Sequence, residues 1–467
     1  MAWGAAALVT LVVCHAVVSN PLQVTDSLVP ILKVQDMSAW HVLLGKIDGG
    51  SYFRPLRWVA IKLLLDGSGG RYNLAYKSFH VVFIAALFFV FVRAARVRTK
   101  VDALALMYAL VVLTGTHSFL GLVWEEFAIN HFIEIAVFST AALLLCQSRG
   151  GVIADAAAAI LLVLAVMALD SGPLVWVVIV AARLVGLRGV SWRAVAVMTG
   201  LLAAFMLYRF GLSSIGTPGV GERASGFGFS RIEPADIQRR FVDTGHLYYF
   251  YLSNVVSALA SVFLSDPING RWALTEHVVT GDIDPMVMTS IVSALVSTGL
   301  IVLFAIRRRA AWVARQFDHA DQLVIVCVAV ALANAAMCFS YVKDDIMSTA
   351  GVFYALAVFA ATSDALTRWS QASRSAAATA VLGIVLFAGG AAWTIRTIGS
   401  QYQMLRIGIT DRYEWAHVDE WLVQQDQTPT TPQGKRLVQD LRAEAMRTRP
   451  LSLLFVPRWA VKWFNTE

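Results

Sequence analysis

Charged side chains in this chain gather at the ends of apolar runs, and those with chemical potential share one set of ends. Asp26 follows the first apolar run, in NPLQVTDSLVPIL, with Asp36 soon after it. Arg54 sits in GGSYFRPLRW, and His80 opens the next run. His117, Glu125 and Glu126 lie in the turn GTHSFLGLVWEEFAINHF, and Lys343, Asp344 and Asp345 lie between two late runs. A carboxylate can deprotonate an acceptor hydroxyl, and an arginine or lysine can stabilise a departing phosphate. Together at a membrane face, such groups suit a lipid-linked phosphate substrate. Each also has a plain reading. A carboxylate at the end of a span is ordinarily just solvated, Glu125-Glu126 can simply mark a helix boundary, and Arg54 can snorkel to headgroups.

The elements that must position these residues are membrane helices. Of 467 residues 58% are hydrophobic and 15% charged, and the mean hydropathy is +0.64. Soluble domains carry roughly 45–50% apolar and roughly 25% charged residues. The excess must face lipid, and apolar runs of about 20 residues recur along the chain. They fall near 2–19, 78–96, 101–117, 129–146, 152–169, 173–187, 193–210, 286–306, 321–341, 346–363 and 375–395. The expectation is an all-α integral membrane protein of about eleven transmembrane helices. The first run lacks a basic leader, so it reads as an uncleaved span rather than a signal peptide. The stretch 246–264 is a further candidate.

The net charge of +7 would point to nucleic acid in a soluble chain. Here the cations sit mostly in short loops: Arg93, Arg96, Arg98 and Lys100; Arg149; Arg183, Arg188 and Arg193; Arg307, Arg308, Arg309 and Arg315; Arg368 and Arg374. With a cytoplasmic N-terminus and eleven spans these loops are all cytoplasmic, as the positive-inside rule requires. They read as topology signals, and no nucleic-acid partner is expected. Because a crossing at 246–264 would move Arg307–Arg309 to the other side, that stretch reads as an interfacial or re-entrant helix. The C-terminus then lies outside. A membrane domain, 1–395, carries external loops at 20–77 and 211–285 with amphipathic helices, and 396–467 forms a small external helical tail broken at TPTTPQG. The end, LLFVPRWAVKWFNTE, suits a membrane surface.

Other signals exclude more than they assign. No span carries an acidic residue near its middle, and no inverted repeat is visible, which argues against an ion-coupled transporter. The Gly-rich stretch at 216–228 lacks GxxxxGK[ST] and reads as a loop that could order over a substrate. Cys14, Cys146, Cys327 and Cys338 have neither CxxC nor metal-ligand spacing and read as small apolar residues. No metal site is expected. A divalent cation beside Asp26 would rest on one carboxylate, which is weak ground.

The first external loop resembles that of the GT-C glycosyltransferases, especially the protein O-mannosyltransferase-like branch and its bacterial relatives. The resemblance rests on DSLVPIL at Asp26–Leu32, GGSYFRPLRW at Gly49–Trp58 and YNLAYKSFH at Tyr72–His80. Tyr72, Leu74 and His80 fall in register with the motif that opens the family's second span, and His117, Trp124 and Glu125 loosely resemble its third external turn. Asp26 stands alone where the family often has paired acids. Asn73 and Tyr76 replace a His and an Asn of the motif. The late Arg-Tyr motif is replaced by YVKDDIMSTAG, and no tetratricopeptide pattern follows.

The resemblance implies an enzyme of the bacterial inner membrane that inverts a sugar taken from a polyprenyl-phosphate donor at the external face. The acceptor would be a glycan, a lipid or a protein. It implies Asp26 as general base, Arg54 and Lys343 on the donor phosphate, and Asp36, His80, His117, Glu125, Glu126 and Asp345 lining the acceptor side or cavity. Two other readings stand beside it: a lipid or polysaccharide transporter or flippase, and an O-antigen polymerase or ligase, for which loop 211–285 supplies Arg223, Arg231, Arg239 and Arg240.

Overall fold

The computed structural model describes every residue except 45–52, 125–128, 213–218, 282–283, 372–375 and 449–467, together with the side chains of 376–379. Glu125, Glu126 and the aromatic C-terminal stretch therefore lie outside the described residues.

In chain order, α1 (Ala2–Val18) leads through a π-helical turn at Val24–Leu28 into α2 (Val29–Val34), α3 (Ala39–Leu44) and α4 (Pro55–Gly67). Then follow α5 (Tyr72–Ala95), α6 (Lys100–Gly115), the short α7 (Leu120–Val123), α8 (His131–Gln147), α9 (Val152–Ala168), α10 (Leu174–Leu184) and α11 (Trp192–Met206). A ribbon pairs β1 (Ser225–Phe227) with β2 (Ser230–Ile232), Ser225 facing Ile232. The chain continues with α12 (Pro234–Ile237), α13 (Leu247–Phe263), α14 (Ala273–Thr280), α15 (Pro285–Val313), α16 (His319–Ala336), α17 (Ser348–Gln371), α18 (Ala376–Ala416), α19 (Val418–Gln424) and α20 (Pro432–Arg447).

Six of these helices, with their immediate extensions, are long and apolar enough to cross a bilayer: Tyr72–Ala95, Trp192–Leu212, Pro285–Val313, His319–Ala336, Asp344–Gln371 and Ala380–Ala416. They mark a multi-pass membrane protein. A seventh forms if Lys100–Gly115 and His117–Val123, bent by 74°, count as one span. The expectation of about eleven is corrected here. The apolar runs all exist, but α1, α8, α9, α10 and α13 hold 10–17 residues each. Local chemistry sets their ends. Pro173 precedes α10, and Gly186 just beyond it has φ +88°, a conformation natural to glycine. At about 1.5 Å per residue, the 11 residues of α10 span only about 16 Å.

The helices pack around α17. In its most apolar window 89% of residues are buried, against 17% for Trp192–Leu212 at the periphery. Its buried face is rich in Ser, Thr, Ala and Gly, which let neighbouring backbones approach, and it contacts α5, α6, α8, α15 and α16. Asn334 on α16 fixes its start, donating to the Ile346 carbonyl at 2.8 Å and accepting from the Ala350 N–H at 3.2 Å.

The arginine-rich loops meet at one end of the bundle. Arg96 donates to the Gln147 carbonyl at 2.6 Å, Gln322 to the Val185 carbonyl at 3.2 Å, and Arg307 pairs with Asp364 at 2.7 Å. At the opposite end the first long loop and the tail form one small core. Leu28, Ile31, Val34, Trp58 and Ile61 pack with Trp415, Val418, Leu437 and Leu441. The Trp415 indole donates to the Leu22 carbonyl at 2.5 Å, and Glu444 accepts from the Asn73 N–H at 2.8 Å. The helix α18 runs unbroken across position 395 to Ala416, so the tail begins inside a helix and not at a linker. The four cysteines are free thiols.

A close approach at this end depends on Gly121. A Cβ there would lie 2.7 Å from the Asp345 Cα, so Gly121→Ala should lower thermal stability in detergent by about 1–3 kcal/mol. Gly299→Ala, whose Cβ would meet nothing within 4 Å, is the control. Equal unfolding temperatures for both variants would contradict the packing.

Candidate functional site

Three arginines from two distant parts of the chain, Arg54 and Arg57 from one and Arg209 from the other, meet at the end of the bundle opposite the arginine-rich loops. Arg54 caps α4, and its Nη2 donates to Asp170 Oδ2 at 2.8 Å. Asp170 lies just past the end of α9. Arg209 stands on the π-helical turn Leu207–Leu212 that prolongs α11, and its guanidinium donates to Asp170 Oδ1. Arg57, one turn along α4, is buried with its guanidinium 5.5 Å from the Trp58 ring. Phe53 anchors the approach to α4 by packing on Phe205 and Tyr208 at 6.1 and 5.5 Å.

His131 and Glu134 form the floor of this cluster. Both are buried in the first turn of α8, with His131 Nδ1 3.2 Å from Glu134 Oε2. The Arg57 and Arg54 charges bear on the His131 ring. Asn130 caps the helix, accepting from the Ile133 N–H at 3.1 Å while donating to the Gly121 and Trp124 carbonyls at 2.8 and 2.9 Å. One carboxylate thus holds two guanidinium forks from separate elements. Planar forks of this kind match the oxygens of a phosphate or carboxylate.

A second basic cavity opens on the loop between α11 and α15. It has a volume of about 640 Å³ and is lined by Arg223, Arg231, Asn269, Arg271, Tyr341 and Lys343, among others. Arg223 stands over the Tyr341 ring at 5.2 Å, and Lys343 pairs with Asp345 at 3.1 Å. Asp344 is buried behind it, accepting from the Asn269 N–H at 3.0 Å while its own N–H donates to the Asn269 side chain at 2.9 Å. Asp266 caps α14, accepting from the Thr275 hydroxyl at 2.6 Å.

The residues singled out in the sequence separate in space. Arg54 belongs to the Asp170 cluster, whereas Lys343, paired with Asp345, lines the second cavity, whose walls include none of Arg54, Arg57, Arg209 and Asp170. Asp26 is exposed on the π-helical turn after α1, within electrostatic reach of Glu414 on α18. Asp36 is exposed in the turn after α2. His80 is buried, with Nε2 2.8 Å from the Leu122 carbonyl, and so ties α5 to α7. His117 Nε2 lies 3.2 Å from the Ser265 carbonyl, beside Arg396, which donates to the Ser265 and Ser293 hydroxyls at 2.6 and 2.9 Å. Among the described residues no group of three His, Cys, Asp or Glu side chains is placed to hold a metal.

Sequence reading missed Arg57, Asp170, Arg209, His131 and Glu134. The available signal was a charge at the outer end of an apolar run, as in ALDSGP and LYRFG. That signal also marks ordinary solvated residues.

Burial raises the Asp170 pKa, but the Arg54 and Arg209 guanidiniums and their hydrogen bonds outweigh it and hold the carboxyl below its usual range. A carboxyl with a lowered folded pKa contributes stability that is fully present above its unfolded pKa, about 3.9, and is lost as pH falls through the folded value. Wild type should therefore lose stability faster than Asp170→Asn as pH is lowered from about 5 to about 3. At neutral pH the variant should be less stable by about 1–3 kcal/mol, because two guanidiniums lose a shared acceptor. Parallel melting profiles across that pH range would contradict the pairing. No known protein family, curated protein or solved structure matches the chain.

Proposed function

We propose that this protein is a membrane glycosyltransferase that moves a sugar from a polyprenyl-phosphate donor to an acceptor at the external face of the bacterial inner membrane. The observation that carries the reading is the pairing of Arg54 and Arg209 on Asp170, with the buried Arg57 one turn along α4 from Arg54. The cluster lies at the same end of the bundle as Asp26, because one loop joins the end of α1 to the start of α5. In this reading the arginine-rich loops are cytoplasmic, so the N-terminus is cytoplasmic and the tail external. In the same reading the shorter apolar helices are seated in the bilayer beside the six or seven spans.

The chemistry follows from the groups present. The acceptor hydroxyl gives its proton to Asp26, and its oxygen forms a bond to the sugar C1 on the face opposite the phosphate. The bond from C1 to the phosphate oxygen breaks, and its electron pair stays on the polyprenyl phosphate. Negative charge grows on that phosphate as it departs, and the guanidinium forks of Arg54, Arg57 and Arg209 stabilise it. Asp170 sets the direction of two of those forks before substrate arrives, which is the pre-organisation such stabilisation requires. Lys343 and its partner Asp345, at the second cavity, and His80, which fastens α5 to α7, take no part in this step, and Asp36, His117, Glu125 and Glu126 remain the proposed acceptor side.

A second reading, a polymerase or ligase acting on lipid-linked glycan, draws support from the cavity lined by Arg223, Arg231 and Arg271. In that reading the loop after α11, and not the first loop, holds the reacting phosphate. The two readings are separable with purified protein in nanodiscs and polyprenyl phosphate as probe. Arg57→Gln, which leaves the Asp170 pairs intact, should weaken binding about tenfold, the loss of one charge-assisted phosphate contact. Arg231→Gln should leave binding unchanged. The reverse pattern would favour the second reading. Asp26→Asn should bind the probe normally yet abolish transfer of label from extracted lipid-linked sugars. Normal product formation by that variant would sink the glycosyltransferase assignment.

A further inference from the structure

The arginine-rich end of the bundle carries a cavity that none of the chemistry above uses. It has a volume of about 440 Å³ and lies between the start of α1, the end of α5 and the end of α8. Its walls are Trp3, Val92, Val97 and Leu144 on one side and Arg93, Arg96, Arg98, Gln147 and Ser148 on the other. No carboxylate is among them.

This cationic rim is built into the helix ends. Arg96 adopts the left-handed conformation at φ +54° that terminates α5. Its Nη2 donates to the Gln147 carbonyl at 2.6 Å, and the Gln147 side chain donates back to the Ala94 carbonyl at 3.3 Å. These reciprocal bonds lock the ends of α5 and α8 together and hold Arg96 over the cavity. Trp3 packs on Phe89 with ring centroids 5.6 Å apart, which closes the apolar side. Asp102, the acid on the adjoining segment, is engaged by the Arg98 and Thr99 N–H groups at 3.0 and 2.9 Å and by Ser363 at 2.5 Å. His319 on α16, which the Arg96 and Arg98 charges reach, adds no negative charge.

We propose that this cavity binds the headgroup of an anionic phospholipid. Three guanidiniums meet the phosphate, and Trp3, Val92, Val97 and Leu144 meet the first carbons of the acyl chains. A free phosphate would use the arginines alone and leave the apolar wall without a role. The mixed lining at the end of a transmembrane helix is what a lipid presents to a protein, charge at the surface and hydrocarbon beneath it. Trp at that level is the usual interfacial anchor.

The test uses the purified full-length protein in a neutral detergent. Dioleoyl phosphatidylglycerol, dioleoyl phosphatidylcholine and inorganic phosphate are added separately, with binding read by native mass spectrometry and by the shift in unfolding temperature. The glycerol lipid should bind and raise the unfolding temperature, and the choline lipid and inorganic phosphate should do neither. Arg93→Gln/Arg98→Gln, which spares the Arg96–Gln147 bond, should bind phosphatidylglycerol at least tenfold more weakly while its unfolding temperature without lipid stays at the wild-type value. Trp3→Ala should weaken the lipid but not any residual phosphate binding. Equal affinity for both lipids, an unchanged double variant, or a phosphate effect as large as the lipid effect would each overturn the proposal.

Discussion

A chain that crosses hydrocarbon must satisfy every backbone polar group within its own helices and must carry its charges to the ends. Most of this structure follows from that constraint. The central helix α17 is lined with Ser, Thr, Ala and Gly because helices in lipid gain little from apolar burial and much from close approach. The polar contacts that remain inside the bundle tie one helix to the next, such as Asn334 bridging Ile346 and Ala350 and Tyr108 meeting Ser297. Ionic groups are sorted to two ends of different character. One end carries the exposed arginines of the connecting loops. The other carries guanidiniums that are buried and aimed.

Burial of cations is the costlier arrangement, and its presence at one end is the reason to look there for function. A buried charge requires a partner fixed in place. Asp170 serves Arg54 and Arg209 together, although the partners lie 116 and 39 residues away in sequence. Removing the carboxylate would leave two guanidiniums facing each other in a half-buried pocket. The floor beneath them, His131 and Glu134, is fixed by the Asn130 cap of α8, so two loops, one π-helical turn and one helix start are committed to this cluster. The first long loop and the tail close over the same end through the core of Leu28, Trp58, Trp415 and Leu437.

Much of this was legible in the sequence at the level of hydropathy. The apolar runs mark every long helix, and the helical tail with its break at TPTTPQG is visible in composition. Lengths were not, because hydropathy registers apolar residues whereas helix ends are set by caps, proline and glycine. Pro173 and Gly186 leave an 11-residue helix inside a longer apolar run. The same blindness works in reverse at α18, whose hydropathy falls while the helix continues to Ala416. Arg54 stood out because it sits in the GGSYFRPLRW stretch of the first long loop. Its partners did not, since a charge at the end of a span reads as solvated until the fold shows what it faces. His80, with its ring on the Leu122 carbonyl, is the converse: chemically suggestive in sequence, a fastening between helices in space.

The central claim is that the guanidiniums around Asp170 receive the phosphate of a lipid-linked donor. The most direct measurement is a cryo-EM map of the wild-type protein in nanodiscs with bound polyprenyl phosphate. Density for the phosphate should lie within hydrogen-bond distance of Arg54, Arg57 and Arg209, with the prenyl chain running outward along the membrane helices. Phosphate density in the Arg223–Lys343 cavity with the Asp170 cluster empty, or a lipid threaded through the bundle from one end to the other, would contradict the account.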